Sequence, residues 1–187
     1  MGAKLINGKK VLGMIPARGG SKRVFQKNIT LYKGKPLIAW AMEHAAGCKY
    51  IDRFVVSTDD DAVAIHAKGH LLRRPDYLAT DNATVEGVLA HALYASLPDE
   101  FDYAVVLQPT SPNRTVEDIE RCLEALCSPF NKLHSCVSYN EFGKRNGAVY
   151  AIEVPHFLAM LSFDAANHYI MPNDRSLDIN NLWDFLQ

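Results

Sequence analysis

The sequence predicts an α/β protein with a mostly parallel sheet covered on both faces. Three observations carry that prediction. Short apolar runs alternate with amphipathic segments of helical period. The runs are apolar almost throughout, as in strands buried on both faces rather than one. Three of them end in polar loops, which a parallel sheet gathers on one rim.

The elements follow in order. "VLGMIP" (11–16), "RFVVST" (53–58), "YAVVLQP" (103–109), "SCVSY" (135–139) and "GAVYAIE" (147–153) read as strands. "PLIAWAMEHAA" (36–46), "DDAVAIHAKG" (60–69), "ATVEGVLAHALYAS" (83–96) and "TVEDIERCLEALC" (115–127) read as helices. The last opens with a capping box, Thr115 followed three residues later by Asp118. "NNLWDFL" (180–186) reads as a final helix starting near Asn180 or Asn181. No repeat, low-complexity tract or linker interrupts the pattern.

A chain of 187 residues, 48% hydrophobic and 22% charged, is expected to form one domain with a full core. Twenty basic residues against twenty-one acidic ones leave no excess for tracking nucleic acid, so any phosphate site is local. Cys48, Cys122, Cys127 and Cys136 form no metal or redox motif and read as reduced, mostly buried thiols. The N-terminal apolar run spans about six residues, too short for a signal-peptide core. No stretch approaches the roughly 18 apolar residues of a membrane span. A cytoplasmic protein without membrane or nucleic-acid partners is expected.

The three polar loops are "ARGGSKR", "STDDD" and "QPTSPNRT". In the first, Gly19 and Gly20 allow a tight turn that can aim N–H groups at an anion. Arg18, Lys22 and Lys27 add positive charge, and arginine matches phosphate oxygens with two donors. The spacing fits neither the Walker nor the dinucleotide fingerprint. Asp59, Asp60 and Asp61 read as helix caps ahead of a metal cluster. "QPTSP" is either a ligand loop or a rigid turn, and Asn146-Gly147 either a hairpin turn or a ligand contact. The seven histidines lack any triad-like setting. Tyr32, Trp40 and Tyr94 read as core side chains.

Arg18-x-x-Ser21-Lys22 with Lys27-Asn28, then "GKPLIAW" (34–40), resembles the nucleotide-binding loop of the acylneuraminate cytidylyltransferases. The similarity continues through "FVVSTDD" (54–60), "RRPDYLATD" (73–81), "LQPTSPNRT" (107–115), "NGAVY" (146–150) and "YIMPNDRSLDIN" (169–180). The resemblance implies a three-layer Rossmann-like nucleotidyltransferase fold. It also implies transfer of CMP from CTP to a sialic acid-like nine-carbon 2-keto sugar acid, with release of pyrophosphate. Arg18, Lys22 and Lys27 resemble the triphosphate-holding residues, with Gly19, Gly20 and Ser21 in the same loop. Asn28, Arg74 and Gln108 resemble positions around the nucleoside or sugar. Asp178 resembles a magnesium-coordinating aspartate, so Mg2+ is the implied cofactor; Arg18, Lys27 and Asp178 are the implied catalytic set.

Three departures from the family stand out. The insertion that relatives carry between residues 139 and 146 is nearly absent. It supplies sugar contacts and a dimerisation arm, so a monomer or weak homodimer is expected. Lys144 and Arg145 are the basic residues left there; Arg145 and Asn146, with Gln108, are the sugar-side candidates. The family's Asp-x-Asp pair reads Asp178-Ile179-Asn180, in which Asn180 brings a neutral oxygen in place of a charged one. Arg23 and Phe25 stand where relatives often have glycine and proline. The alternative implied is a nucleotide-binding homologue with lost or altered transfer, or a nucleotidyltransferase for another sugar acid.

Overall fold

A computed structural model of the chain describes residues 6–129, 133–163 and 166–187. Its strands are β1 (Val11–Pro16), β2 (Leu31–Tyr32), β3 (Lys35–Pro36), β4 (Arg53–Thr58), β5 (Leu71–Arg73), β6 (Tyr103–Val106), β7 (Ser135–Asn140), β8 (Arg145–Glu153) and β9 (Asn167–Met171). Its α-helices are α1 (Leu37–Gly47), α2 (Asp61–Ala67), α3 (Val85–Ala95), α4 (Val116–Leu126) and α5 (Val154–Met160). β2 and β3 pair as a small antiparallel ladder, and the other strands form one sheet in the order β5-β4-β1-β6-β8-β7-β9. β1 pairs in parallel with β4 and β6, β4 with β5, and β7 with β9. β8 runs against both of its neighbours, β6 and β7.

Alternation along the strands sorts the core onto two faces. In β1, Val11 and Ile15 join a cluster with Ile38 and Ala41 of α1, Val63 of α2, and Ile119 and Leu123 of α4. Leu12 and Met14 join the opposite cluster with Val88 and Leu89 of α3 and Phe157 of α5. Helices therefore cover both faces, as the apolar strands predicted. Between them, Gly13 meets a tight neighbour: a Cβ there would lie 2.8 Å from the Phe54 Cβ of β4. Only glycine lets these two strands pair with Phe54 turned inward.

α4 forms because Ile119, Cys122, Leu123 and Leu126 fall on one buried stripe. Its capping box is present: Asp118 N–H donates to Thr115 Oγ1 at 3.3 Å and Thr115 N–H donates to Asp118 Oδ2 at 2.8 Å. α3 is capped by Thr84, whose oxygen accepts from Gly87 N–H at 3.1 Å.

Several expectations shift. The third strand stops at Val106; Leu107 N–H still donates to the Met14 carbonyl at 3.0 Å, and the chain then turns into the rim loop from Gln108. The second helix ends at Ala67 and continues as a 3-10 turn, Lys68–His70. The C-terminal element is also a 3-10 turn, Leu182–Leu186, capped by Asn181, whose Oδ1 accepts from Trp183 N–H at 2.9 Å. Asn146 and Gly147 are not a turn but lie inside β8; the chain reverses at 140–144, where Gly143 takes φ +73. Tyr32 is buried and Trp40 packs beside it, but Tyr94 is 78% exposed, contrary to its reading as core. The four cysteines are free thiols. Among the described residues no helix is long and apolar enough to cross a membrane.

Candidate functional site

The carboxyl ends of β1, β4, β5, β6 and β9 share one rim, because these strands run the same way. The loops leaving β1, β5 and β6 and the segment after β9 enclose a cleft of about 390 Å³ there. Eight of the predicted residues line it: Arg18, Ser21, Lys22, Lys27, Asn28, Arg74, Gln108 and Asn180. Arg23 joins them, so five cationic side chains face one carboxylate, that of Asp81. A concave site so unbalanced in charge attracts an anion.

The basic loop is braced from below. Ser21 N–H donates to the Gly19 carbonyl at 2.7 Å, closing the tight turn. Asn28 is buried and its amide donates to the Arg18 carbonyl at 2.9 Å. Gly19 N–H donates to Asp59 Oδ1 at 3.1 Å, so this N–H is committed to the protein rather than to a ligand. A Cβ on Gly19 would come within 2.6 Å of the Asp60 Cβ. The three aspartates after β4 thus divide their work. Asp59 holds the loop, Asp60 caps α2 by accepting from Val63 N–H at 3.0 Å, and Asp61 pairs with Arg73 at 2.6 Å. Among the described residues no group of three or more metal-ligating acids, histidines or cysteines forms.

The cations differ in how they are held. Arg18 pairs with Asp81 at 2.8 Å, and Lys22 pairs with the same carboxylate. Lys27 donates to the Ile179 carbonyl at 3.2 Å; burial pulls its pKa down, with the Asp178 charge opposing. Arg74 is buried, with Nε on Ser57 Oγ at 3.1 Å and Nη2 on the Ser57 carbonyl at 2.9 Å. Burial brings its pKa to about 10, against the pull of Asp59.

The opposite wall is made by Gln108, Pro109 and Thr110 with Asn180, the last carried by the 176–180 segment. Ile179 N–H donates to the Thr110 carbonyl at 2.8 Å, joining the two. Gln108 lies beside Gly147; a Cβ at residue 147 would meet its amide at 3.8 Å, an ordinary contact, and it is the φ of +75 there that favours glycine. Asn146, expected on the sugar side, does not line the cleft. Its Nδ2 donates to Ser176 Oγ at 3.1 Å, and its Oδ1 accepts from Ser138 Oγ at 2.6 Å and Ala148 N–H at 3.2 Å. Arg145 lies outside the cleft lining, with Nε on the Tyr139 hydroxyl at 3.0 Å. Gly20 and Asp178 also lie outside the lining.

Asp178 is exposed, and Asn180 Nδ2 donates to its Oδ2 at 2.8 Å, while Asn180 Oδ1 accepts from Arg23 at 3.4 Å. This set offers one carboxylate and a neutral oxygen turned elsewhere. It fits magnesium in its usual nucleotide setting, with one carboxylate beside phosphate oxygens and waters, and not a cage made by protein alone.

Sequence reasoning missed three contributors. Asp59 and Asp81 supply the counter-charges. Arg114 is fully buried and donates from Nη1 to the Gln108 carbonyl at 3.3 Å and the Ala148 carbonyl at 2.6 Å. Burial brings its pKa to about 9, with Asp118 opposing. The only signal for it was an arginine closing the "QPTSPNR" loop.

The family described as Cytidylyltransferase matches residues 12–151. An N-acylneuraminate cytidylyltransferase of Escherichia coli O18:K1:H7 is 28% identical over 94% of this chain and 50% of that relative. A CMP-N,N'-diacetyllegionaminic acid synthase of Legionella pneumophila is 40% identical over 62% of this chain and 52% of the relative. The chain spans about half the length of these two curated relatives. A solved CMP:2-keto-3-deoxy-manno-octonic acid synthetase complexed with CTP shares the fold, with TM-score 0.71 and 16% identity over 92% of this chain and 93% of that one.

Proposed function

Because the chain belongs to the cytidylyltransferase family, we propose that it transfers CMP from CTP to a sialic acid-like nine-carbon 2-keto sugar acid, releasing pyrophosphate. The observation that supports this most is the convergence of Arg18, Lys22, Lys27 and Arg74 on one cleft whose far wall carries Gln108 and Asn180. In this reading the 2-hydroxyl of the sugar attacks the α-phosphorus, a new P–O bond forms, and the bond to the β-phosphate breaks. Little covalent chemistry falls to the protein; positioning and electrostatics carry the rate.

Arg18, Lys22 and Lys27 hold the triphosphate, with Gly19, Gly20 and Ser21 shaping their loop. Asn28 fixes that loop, and Arg74 faces the nucleoside end. Magnesium, when bound, offsets charge developing on the phosphates, and Asp178 is the carboxylate to hold it. Asn180 orients Asp178. On the sugar side Gln108 makes the direct contact and Arg145 supplies charge from the edge. Asn146 acts one step back, by holding Ser176 ahead of Asp178.

Incubation with CTP, magnesium and a panel of sialic, legionaminic and pseudaminic acids tests this. Pyrophosphate release with at least one acid is expected. CTP binding without turnover of any acid would reject transfer and leave the second reading, a nucleotide-binding homologue. One observation favours that second reading: β7 and β8 are joined by the short reversal at 140–144, with Tyr139 facing Arg145, which leaves little chain there to contact a sugar. The same short reversal supports a monomer or weak homodimer, which sedimentation at several concentrations measures.

A further inference from the structure

The two segments of the far wall reach the cleft by separate routes, one from β6 into α4 and one off the end of β9. Behind them lies Asp118, fully buried in the first turn of α4. Its Oδ2 accepts from Thr115 N–H and Thr115 Oγ1, both at 2.8 Å, which completes the helix cap. Its Oδ1 accepts from the Tyr169 hydroxyl at 3.0 Å and pairs with Arg175 Nη2 at 3.0 Å. One carboxylate therefore divides its two oxygens between the loop that carries Gln108 and the segment that carries Asp178 and Asn180.

A helix cap alone does not require this. It needs one carboxylate oxygen on one N–H, and it functions at the surface. Burying a carboxylate fully costs several kcal/mol unless charged partners and hydrogen bonds offset the loss of water. Here the offset comes from across the chain: Arg175 lies three residues before Asp178, and Tyr169 lies in β9. A second tie joins the same two segments, from Ile179 N–H to the Thr110 carbonyl at 2.8 Å.

We propose that Asp118, through Arg175 and Tyr169, is a positioning residue that sets the 176–180 segment against the 108–111 loop, and so places Asp178 for metal-assisted nucleotide binding. It touches neither substrate nor metal. The proposal rests on the nucleotidyl-transfer reading of the cleft, and its test separates the two.

Arg175 lies on a 3-10 turn outside the sheet, its side chain half-buried against Asp118, so its replacement leaves every strand residue in place. Two measurements on the full chain are compared for the parent, Arg175→Gln and Arg175→Lys. In ligand-free protein, Arg175→Gln should speed amide exchange at Ile179 by about tenfold and leave the β1 amides unchanged. In CTP titrations, it should reduce the magnesium-dependent gain in affinity by about fivefold while metal-free binding stays within about twofold. Arg175→Lys, which keeps the charge, should recover most of both effects. Unchanged exchange at Ile179 would overturn the proposal. So would equal loss of CTP affinity with and without magnesium, the pattern of general loosening. A parent chain that binds no CTP would instead refute the nucleotide reading, and the exchange measurement then decides the positioning role by itself.

Discussion

Asp81 reaches Arg18 at 2.8 Å and also pairs with Lys22, so one carboxylate from the loop after β5 is shared by two cations of the loop after β1. The Lys22 and Arg18 side chains hold its carboxyl below the usual carboxylate range. A polyphosphate that uses the same two cations must displace it. Replacing Asp81 with asparagine removes the competitor and keeps the shape. Inorganic triphosphate should then bind about two- to fivefold more tightly at low salt, a modest gain because exposed ion pairs are weak. The gain should shrink as salt screens both partners. Isothermal titration at two ionic strengths measures it, and weaker binding in Asp81→Asn would assign Asp81 a supporting role instead.

Gly19 lies against Asp60 so closely that an added Cβ would come within 2.6 Å of the Asp60 Cβ. Asp60 cannot yield without losing its cap on α2. Gly19→Ala should therefore push the basic loop outward, break the Gly19 N–H bond to Asp59, and move Arg18. Triphosphate affinity should fall about tenfold or more, equivalent to about 1.4 kcal/mol. The far-ultraviolet dichroism should stay the same, because the strain falls on a loop. Parent-like affinity would show that the loop adjusts freely.

His44, on α1, has its pKa pushed down to about 4, first by burial and then by the neighbouring Arg114 charge. Its Nδ1 is buried without a hydrogen-bond partner. The sign follows from linkage. Unfolded, the imidazole takes a proton below about pH 6.5; folded, it stays neutral down to about 4. The stability tied to neutral His44 is complete above pH 6.5 and is lost progressively between 6.5 and 4, on the order of 2–3 kcal/mol. His44→Leu should flatten the fall in melting temperature across that window. An identical slope in the variant would place the acid sensitivity elsewhere.

The legibility of this fold followed burial. β1, β4 and β6 are apolar on both faces, so their strand character shows in the sequence directly. β5 has three residues, too few for any period, and β9 is an edge strand whose Asn167, His168 and Tyr169 look like loop. α5 begins directly where β8 ends, with no turn between them to mark a new element. The same logic divides the site. Arg18, Lys22 and Lys27 announce themselves because positive charge clusters locally around glycines. Their counter-charges do not, since Asp59 lies 40 residues from Gly19 and Asp81 lies 63 from Arg18. Asn146 illustrates the opposite error: its type suits a ligand contact, but only packing reveals that its amide already serves Ser138, Ala148 and Ser176.

Asn180 donates to Asp178 at 2.8 Å, which keeps the carboxylate oriented while adding no charge. Asn180→Asp turns that donor into a second acceptor beside the first. Without metal, two carboxylates a hydrogen bond apart repel, and the segment from 176 should loosen. With CTP and magnesium present, the added charge meets a hard divalent cation that prefers oxygen ligands. The expected result is opposite shifts: faster amide exchange at Ile179 in the free chain, and magnesium affinity in the CTP complex raised about tenfold. The Arg23 contact to Asn180 Oδ1, at 3.4 Å, can follow the new carboxylate and strengthen, so the metal-free penalty stays small. A magnesium titration that is unchanged in the variant would mean that residue 180 faces Arg23 in the complex as well, and that Asp178 alone meets the metal.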